Sequence, residues 1–137
     1  MTEQEIFERL IPLIREVTGV REEQIKMESG LMQDLGAESV DLLDFSFLIE
    51  ETFGITIEAD EFERKASKRL NSDEYEKDGV LTDEALEELR KALPEVSAEC
   101  FKAGLKKIEV PGVLNVAVFV HLIQRKLAEK SREVNSA

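Results

Sequence analysis

The sequence has one cysteine, no tryptophan and no apolar run long enough to cross a membrane. A lone cysteine, Cys100, excludes an internal disulfide bond, and no apolar targeting segment is present. We therefore expect a cytoplasmic protein that does not insert into membranes.

Positive charge is also scarce. Lysine and arginine number 18 against 30 acidic residues, which gives a formal net charge of -12. Because nucleic acids and anionic membrane surfaces bind positive charge, neither is an expected partner. Proteins with basic surface patches are the better match for this chain.

Proline and glycine are few, with 3 and 7 residues, and most apolar residues recur at intervals of three or four. This spacing predicts an all-α fold. No Gly-, Ser- or Pro-rich linker divides the 137 residues, so we expect a single domain over residues 1–137, and a monomer.

The first helix is predicted from its cap. Thr2 and Glu5 have the spacing of a capping box, and apolar residues then recur along one face as far as Gly19. Pro12 lies inside this helix and is expected to bend it. Residues 20–38 lack sustained periodicity, and their apolar residues predict a loop tied to the core.

Residues 34–44 combine an acidic turn, a glycine and a serine with a run of apolar and acidic residues at helical spacing. Ser39 is predicted to be the N-cap of a helix that runs to about Phe53. A hydroxyl in that position is exposed, and the free N–H groups beside it suit a phosphate. Ser39 is therefore a candidate for carrying a phosphoryl group.

This second helix has two apolar groups when its residues are placed at 100° intervals. The group predicted to face the core is Leu42, Phe45, Ile49 and Phe53. The other group, flanked by acids, is Val40, Leu43 and Phe47. Two interpretations are open: a helix buried on two sides of a bundle, or an exposed strip that docks on an apolar patch ringed by Lys and Arg.

The rest of the chain is less regular. The predicted elements are a helix within residues 59–70, an acidic loop at 71–79, a helix from Thr82 to Pro94, a short helix from Ser97 to about Leu105, a break at Pro111-Gly112, a last helix capped by Asn115, and a frayed tail at residues 131–137.

Other candidate sites are weak. In a calcium-loop register that starts at Glu74, the twelfth position is Ala85 and provides no bidentate acid, so a solvated acidic loop is the better interpretation. His121 lies among apolar neighbours and is expected at the edge of the core, and Cys100 is expected to be a small apolar filler. We expect no catalytic residues and no metal site.

One set of residues follows the order found in a known protein family. These residues are Lys26, Glu28, Leu31, the run Asp34-Leu35-Gly36-Ala37-Glu38-Ser39-Val40-Asp41, Glu50-Glu51, Phe53-Gly54, Ile57 and Asn115-Val116. On these residues the chain resembles an acyl carrier protein, and the likeness covers roughly the first 60 and the last 25 residues.

The resemblance implies a four-helix bundle and a non-enzymatic carrier. Ser39 is then modified with 4'-phosphopantetheine from coenzyme A by a phosphopantetheinyl transferase, and the arm carries acyl groups as thioesters to enzymes of fatty acid, polyketide or specialised lipid synthesis. It also implies that the helix after Ser39 recognises acyl-transferring and acyl-modifying enzymes, which have basic docking patches. The implied contact residues are Asp34, Glu38, Val40, Asp41, Leu43, Asp44, Phe47 and Glu50.

The chain departs from the family pattern in three places. Glu38-Ser39-Val40 replaces the more usual Asp-Ser-Leu, Phe47 is bulkier than usual, and residues 60–111 include some 30 extra residues that form one or two additional helices between the second and last core helices. The alternative function is an unmodified helical interaction module with the same acidic docking surface, in which Ser39 is only a cap.

Overall fold

Helix α1 spans Glu3–Thr18 and has the predicted capping box: Thr2 Oγ1 accepts a hydrogen bond from the Glu5 N–H, and Glu5 Oε1 accepts one from the Thr2 N–H. Pro12 lies inside the helix without ending it, and Gly19 closes the helix in the left-handed conformation. The helix buries one face against the core, with Ile6, Leu10 and Ile14 fully covered. The computed structural model describes residues 1–58 and 60–136.

The chain divides into two compact units, Met1–Ile57 with Asn115–Ala137, and Glu58–Leu114. In the first unit, α1 is followed by a 3-10 turn at Glu22–Gln24, helix α2 at Ser39–Phe53 and helix α6 at Val116–Ser136. The loop before α2 is anchored as predicted, because Ile25, Leu31 and Leu35 are buried.

The core of the first unit forms where α1, α2 and α6 pack together. Phe45 of α2 meets Phe119 of α6 with ring centroids 5.0 Å apart and planes tilted by 60°, and both rings are buried. Asn115 caps α6 as predicted, since its Oδ1 accepts a hydrogen bond from the Val118 N–H at 3.1 Å. Helix α6 continues to Ser136. Fraying of residues 131–137 stays a prediction, and Ala137 lies outside the described residues.

Two lysines of α6 hold the chain after α2. Gly54 ends α2 with φ 66°, and Lys130 Nζ donates to the Gly54 carbonyl at 2.8 Å. Lys126 donates to the carbonyl of Thr56. A cation at a helix C-terminus also complements the helix dipole, so these contacts stabilise the end of α2.

The second unit contains helix α3 (Arg64–Lys68), helix α4 (Ser72–Tyr75), strands β1 (Glu76–Lys77) and β2 (Val80–Leu81), helix α5 (Asp83–Ala92), and 3-10 helices at Ala98–Cys100 and Lys107–Val113. Its buried residues include Leu86, Leu89, Phe101 and Val110. Helix α5 begins as predicted, with Thr82 Oγ1 accepting from the Ala85 N–H at 3.1 Å. Burial and a 2.6 Å hydrogen bond to Glu63 raise the pKa of Tyr75 above its ordinary value.

Several predictions for this unit were wrong. The helix expected from Ala59 to Leu70 is only Arg64–Lys68, because residues 60–63 form a turn in which the Glu63 N–H donates to the Asp60 carbonyl at 3.0 Å. Ala59 lies outside the described residues. The expected acidic loop is α4 followed by a hairpin. Its turn residues, Asp78 and Gly79, both have positive φ, which matches the right-handed twist of two short paired strands.

Two further predictions were wrong at the end of this unit. The helix expected from Ser97 is a single 3-10 turn, and Gly104 takes a positive φ of 97° soon after it. Pro111-Gly112 does not break the chain but lies within the 3-10 helix Lys107–Val113. Pro111 needs no N–H donor there, and its carbonyl accepts from the Leu114 N–H at 3.3 Å.

The described residues confirm a mostly helical fold with additional helices between α2 and α6. Their sheet is a single two-stranded hairpin. In the part of the chain that the structure describes, no helix combines the length and the apolarity that a bilayer crossing requires.

Candidate functional site

The turn before α2 is built around Gly36, whose φ of 73° is one that residues with a Cβ rarely adopt. Leu35 and Ala37 are buried on either side of it. Asp34 closes the turn from the other end, because its Oδ2 accepts a hydrogen bond from the Gly30 N–H at 2.7 Å. The chain therefore approaches α2 along a defined path.

Ser39 is the first residue of α2, and its side chain is exposed. The prediction that Ser39 is the N-cap was wrong, because Glu38 occupies the cap position with extended φ and ψ of -100° and 171°. Asp41 completes the cap, since its Oδ2 accepts from the Glu38 N–H at 2.8 Å. Within the described chain the Ser39 hydroxyl makes no hydrogen bond, so it is available to an incoming group.

The start of α2 also suits an anionic group. The first turn of a helix leaves backbone N–H groups without helical partners and carries the positive end of the dipole. An oxygen attached at Ser39 would lie beside these donors. The hydroxyl is thus exposed, unengaged and placed where a phosphate diester is tolerated.

Helix α2 has a buried and an exposed apolar face. Phe45, Ile49 and Phe53 are buried, and Leu42 is half-buried. The second group is exposed: Val40, Leu43 and Phe47, here called the α2 stripe, have relative exposures of 57%, 64% and 66%. Burial of α2 on two sides, the first interpretation open from sequence, does not occur.

The acids predicted around the α2 stripe fall into two classes. Asp34, Asp41 and Glu50 each accept a backbone hydrogen bond; Glu50 Oε2 accepts from the Ile57 N–H at 2.7 Å. Asp44 is exposed and makes no such bond in the described chain, and Glu38 is also exposed. A carboxylate has further lone pairs, so these three acids can still accept hydrogen bonds from another protein while they fix local structure.

Phe47 borders an open groove of about 390 Å³ between α1 and α2. The residues that line it are Glu16, Val17, Asp41, Asp44, Phe47 and Leu48. The contribution of α1 is absent from the sequence-based prediction, because a helix pattern alone does not indicate which neighbour borders an exposed face. Apolar and acidic side chains thus line the groove together, and such a lining matches a partner of opposite charge.

His121 and Cys100, for which the sequence predicts no functional role, lie away from Ser39 in the sequence. His121 Nε2 is 2.6 Å from Glu3 Oε1, at the edge of the first unit as expected. Cys100 is partly exposed. Within residues 1–58 and 60–136, no cluster of three or more His, Cys, Asp or Glu side chains is arranged to hold a metal ion.

Known proteins match this region of the chain. A family described as "Phosphopantetheine attachment site" matches residues 8–67. The acyl carrier protein of Petrotoga mobilis is 34% identical over 64 residues, 47% of this chain and 75% of the relative. The acyl carrier protein of Guillardia theta is 41% identical over 64 residues, 47% of this chain and 79% of the relative.

The chain belongs to the acyl carrier protein family. A third relative, the acyl carrier protein AcpXL of Rhizobium meliloti, is 33% identical over 70 residues, 50% of this chain and 74% of the relative. The matched residues 8–67 include the Gly36 turn and all of α2, so the likeness falls on the site described above. The cofactor of this family is covalent 4'-phosphopantetheine, and the protein is a carrier with an attachment site for that group.

Proposed function

We propose that the chain carries acyl groups as thioesters on a 4'-phosphopantetheine arm attached to Ser39, and that it is not an enzyme. The observation that supports this proposal is the exposed, unbonded hydroxyl of Ser39 at the start of α2, inside the matched residues 8–67. When bound, the arm supplies a terminal thiol on which an acyl group is held.

In this proposal the residues around Ser39 position its hydroxyl, and a transferase catalyses the attachment. The Ser39 hydroxyl oxygen would attack the phosphorus of coenzyme A that bears the pantetheine, and its proton passes to a base of the phosphopantetheinyl transferase. The pyrophosphate P–O bond breaks, and adenosine 3',5'-bisphosphate leaves. Gly36 and the Glu38–Asp41 cap hold the serine at the helix start, and the N–H groups of the first turn face the attached phosphate.

The α2 stripe is the proposed docking surface for the transferase and for acyl-transferring and acyl-modifying enzymes of fatty acid, polyketide or specialised lipid synthesis. Its apolar contacts are Val40, Leu43 and Phe47. The proposed acidic contacts are Asp34, Glu38, Asp41, Asp44 and Glu50. Basic patches on those enzymes would be attracted by this border, and the apolar stripe would supply the contact that persists when salt screens the charges.

The division of the chain supports a further part of the proposal. Residues 1–57 and 115–137 supply the carrier, and residues 58–114 are an elaboration inserted into it. We propose that both belong to one acyl-carrier-like domain over residues 1–137, which works as a monomer in the cytoplasm when it meets its enzymes.

Intact-mass spectrometry tests the attachment. The purified apo chain is incubated with coenzyme A and a phosphopantetheinyl transferase, and we expect the mass to rise by one phosphopantetheine. Ser39→Ala is expected to abolish the addition. Ser46→Ala, on the same helix, is the matched control and is expected to be modified as the natural chain is.

The same experiment separates the alternative function, an unmodified interaction module. That alternative is favoured by the α2 stripe, which exists whether or not Ser39 is modified. It would be supported if a transferase that modifies the Petrotoga mobilis relative added nothing to this chain. Addition to the Ser39→Ala variant would instead place the arm on another residue.

A further inference from the structure

The second unit exposes one large apolar side chain amid basic residues. Ile108, at the start of the 3-10 helix Lys107–Val113, is 84% exposed. Lys102, Lys106 and Lys107 lie within six positions of it and are exposed. We call Ile108 and these three lysines the Ile108 surface.

The Ile108 surface is held by ordered backbone. The Lys107 N–H donates to the Gly79 carbonyl at 2.9 Å, and the Leu81 N–H donates to the Leu105 carbonyl at 3.0 Å. Val110, two residues after Ile108, is buried. Because both flanks are fixed, Ile108 is presented to solvent without the entropy cost that ordering a loop on binding would add.

The charge of this surface is opposite to that of the chain. Lys107 is partly compensated by Glu76, with Nζ 3.9 Å from the carboxylate, and Glu109 accepts from the Lys106 N–H at 2.8 Å. The ammonium groups of Lys102 and Lys106 make no ion pair in the described residues. A small basic and apolar surface therefore stands in a chain of net charge -12.

Its complement is present on the same protein. Apart from Met1, the large apolar side chains that the described residues expose belong either to the α2 stripe or to the Ile108 surface. The first is bordered by the exposed acids Asp44 and Glu51, and the second by lysines. Complementary charge around an apolar contact favours encounter and fixes its orientation.

We propose that two copies of this chain associate head to tail, with the Ile108 surface of one copy on the α2 stripe of the next. Both contact areas are small, so the association is weak and reversible. A head-to-tail contact leaves one free surface of each kind at the ends, so the assembly either closes into a ring or extends as the protein concentration rises.

This inference goes beyond the carrier function and does not require modification of Ser39. Its consequence is that a copy seated on the α2 stripe competes with partner enzymes for the same surface. Self-association would therefore lower the fraction of carrier available for docking as the carrier concentration rises.

Sedimentation equilibrium of the full chain with Ser39→Ala tests the proposal without any arm attached. We expect the average mass to rise above that of the monomer between micromolar and millimolar protein at low salt, and to fall back at high salt. Two variants remove one surface each: Lys102→Glu with Lys106→Glu, and Asp44→Lys with Glu51→Lys. Each is expected to weaken association about tenfold or more.

A mixture of the two variants is the decisive sample. Each variant retains the natural surface that the other lacks, and the two reversed surfaces are also opposite in charge, so the mixture is expected to associate in equimolar proportion although each variant alone does not. All four substitutions in one chain are expected to restore association for the same reason. Lys65→Glu with Lys68→Glu changes two exposed lysines of α3 and is the matched control, expected to leave association unchanged.

Three results would overturn the proposal. The first is a monomer mass at every concentration, which would leave the two surfaces to other partners or to a contact within one chain. The second is association that Ile108→Ser does not weaken. The third is a mixture of the two charge variants that stays monomeric although the natural chain associates, because the Ile108 surface and the α2 stripe are then not each other's partners.

Discussion

Phe45 and Phe47 are two residues apart on α2, yet only Phe45 belongs to the core. Phe45 has a relative exposure of 0%, and Phe47 one of 66%. Replacing each by alanine therefore separates the buried face of α2 from its docking face. We expect Phe45→Ala to destabilise the fold strongly and Phe47→Ala to leave it almost unchanged.

The magnitude follows from the packing. Removing a fully buried phenylalanine side chain costs about 3–5 kcal/mol of unfolding free energy, part of which is the contact with Phe119 at 5.0 Å. A small domain is stable by about 5–15 kcal/mol, so Phe45→Ala removes a large share of it. Phe47→Ala, at the surface, is expected to change the free energy by about 0.5 kcal/mol or less.

Urea unfolding followed by far-UV circular dichroism measures both variants. We expect the midpoint for Phe45→Ala to fall by about 2 M and that for Phe47→Ala to stay close to the natural chain. If Phe45→Ala does not fold, Phe45→Leu keeps an apolar side chain and is expected to lie between the two. Equal destabilisation by Phe45→Leu and Phe47→Ala would refute the division of α2 into two faces.

A second probe tests whether the chain is one domain. Tyr75 is the only tyrosine and the chain has no tryptophan, so intrinsic fluorescence reports on the second unit alone. If residues 1–137 unfold as a single domain, Phe45→Ala shifts the fluorescence transition together with the circular dichroism transition. A fluorescence transition that stays in place would show that the two units unfold separately.

Two further substitutions test electrostatic docking and capping. Asp44→Lys is expected to slow phosphopantetheine transfer severalfold at about 0.01 M salt and hardly at all at about 1 M salt. Glu99→Lys makes the same charge change in the second unit and is expected to have little effect on the rate. Equal slowing by Asp44→Lys at both salt concentrations would contradict electrostatic steering. Asn115→Ala is expected to lower the free energy of unfolding in urea by about 1–2 kcal/mol, because it removes the buried acceptor of the Val118 N–H. Thr2→Ala removes an exposed cap, and an equal or larger loss of unfolding free energy in that variant would argue against this role of Asn115.

The helices of the first unit can be predicted from sequence because their caps and apolar periodicity are strong local patterns. Thr2 with Glu5 and Asn115 each place a cap next to a long periodic run, and Gly19 marks a helix end. The buried and exposed faces of α2 follow from the same periodicity. The packing of Phe45 on Phe119 involves residues far apart in sequence, and no local pattern indicates it.

The second unit is harder to predict from sequence because its helices and strands are too short to show a recognisable apolar periodicity. The hairpin has strands of two residues each, so no alternation of apolar and polar residues can be seen. One signal was available: Asp78-Gly79 is a dipeptide that favours a two-residue hairpin turn, and in the structure both residues have positive φ. The surrounding acids made an acidic loop the simpler interpretation.

The N-cap of α2 illustrates a different limit. Glu38 and Ser39 are adjacent polar residues, and composition favours the serine as the cap. The structure resolves the choice through Asp41, whose carboxylate accepts the Glu38 N–H and so places the cap one residue earlier. The shift has a functional consequence, because a capping serine would have its oxygen engaged by the backbone, whereas Ser39 keeps its hydroxyl free.

The acids around α2 have two roles, and this determines which substitutions are informative. Asp34 and Asp41 fix the turn and the cap before Ser39, and Glu50 fixes the chain after α2. Their charges are therefore held in place relative to Ser39, but replacing any of them disturbs the attachment site as well as the docking surface. Asp44 and Glu51 make no such backbone bonds in the described chain. An effect of replacing these two acids can thus be attributed to contact with another protein, whereas an effect at Asp41 cannot.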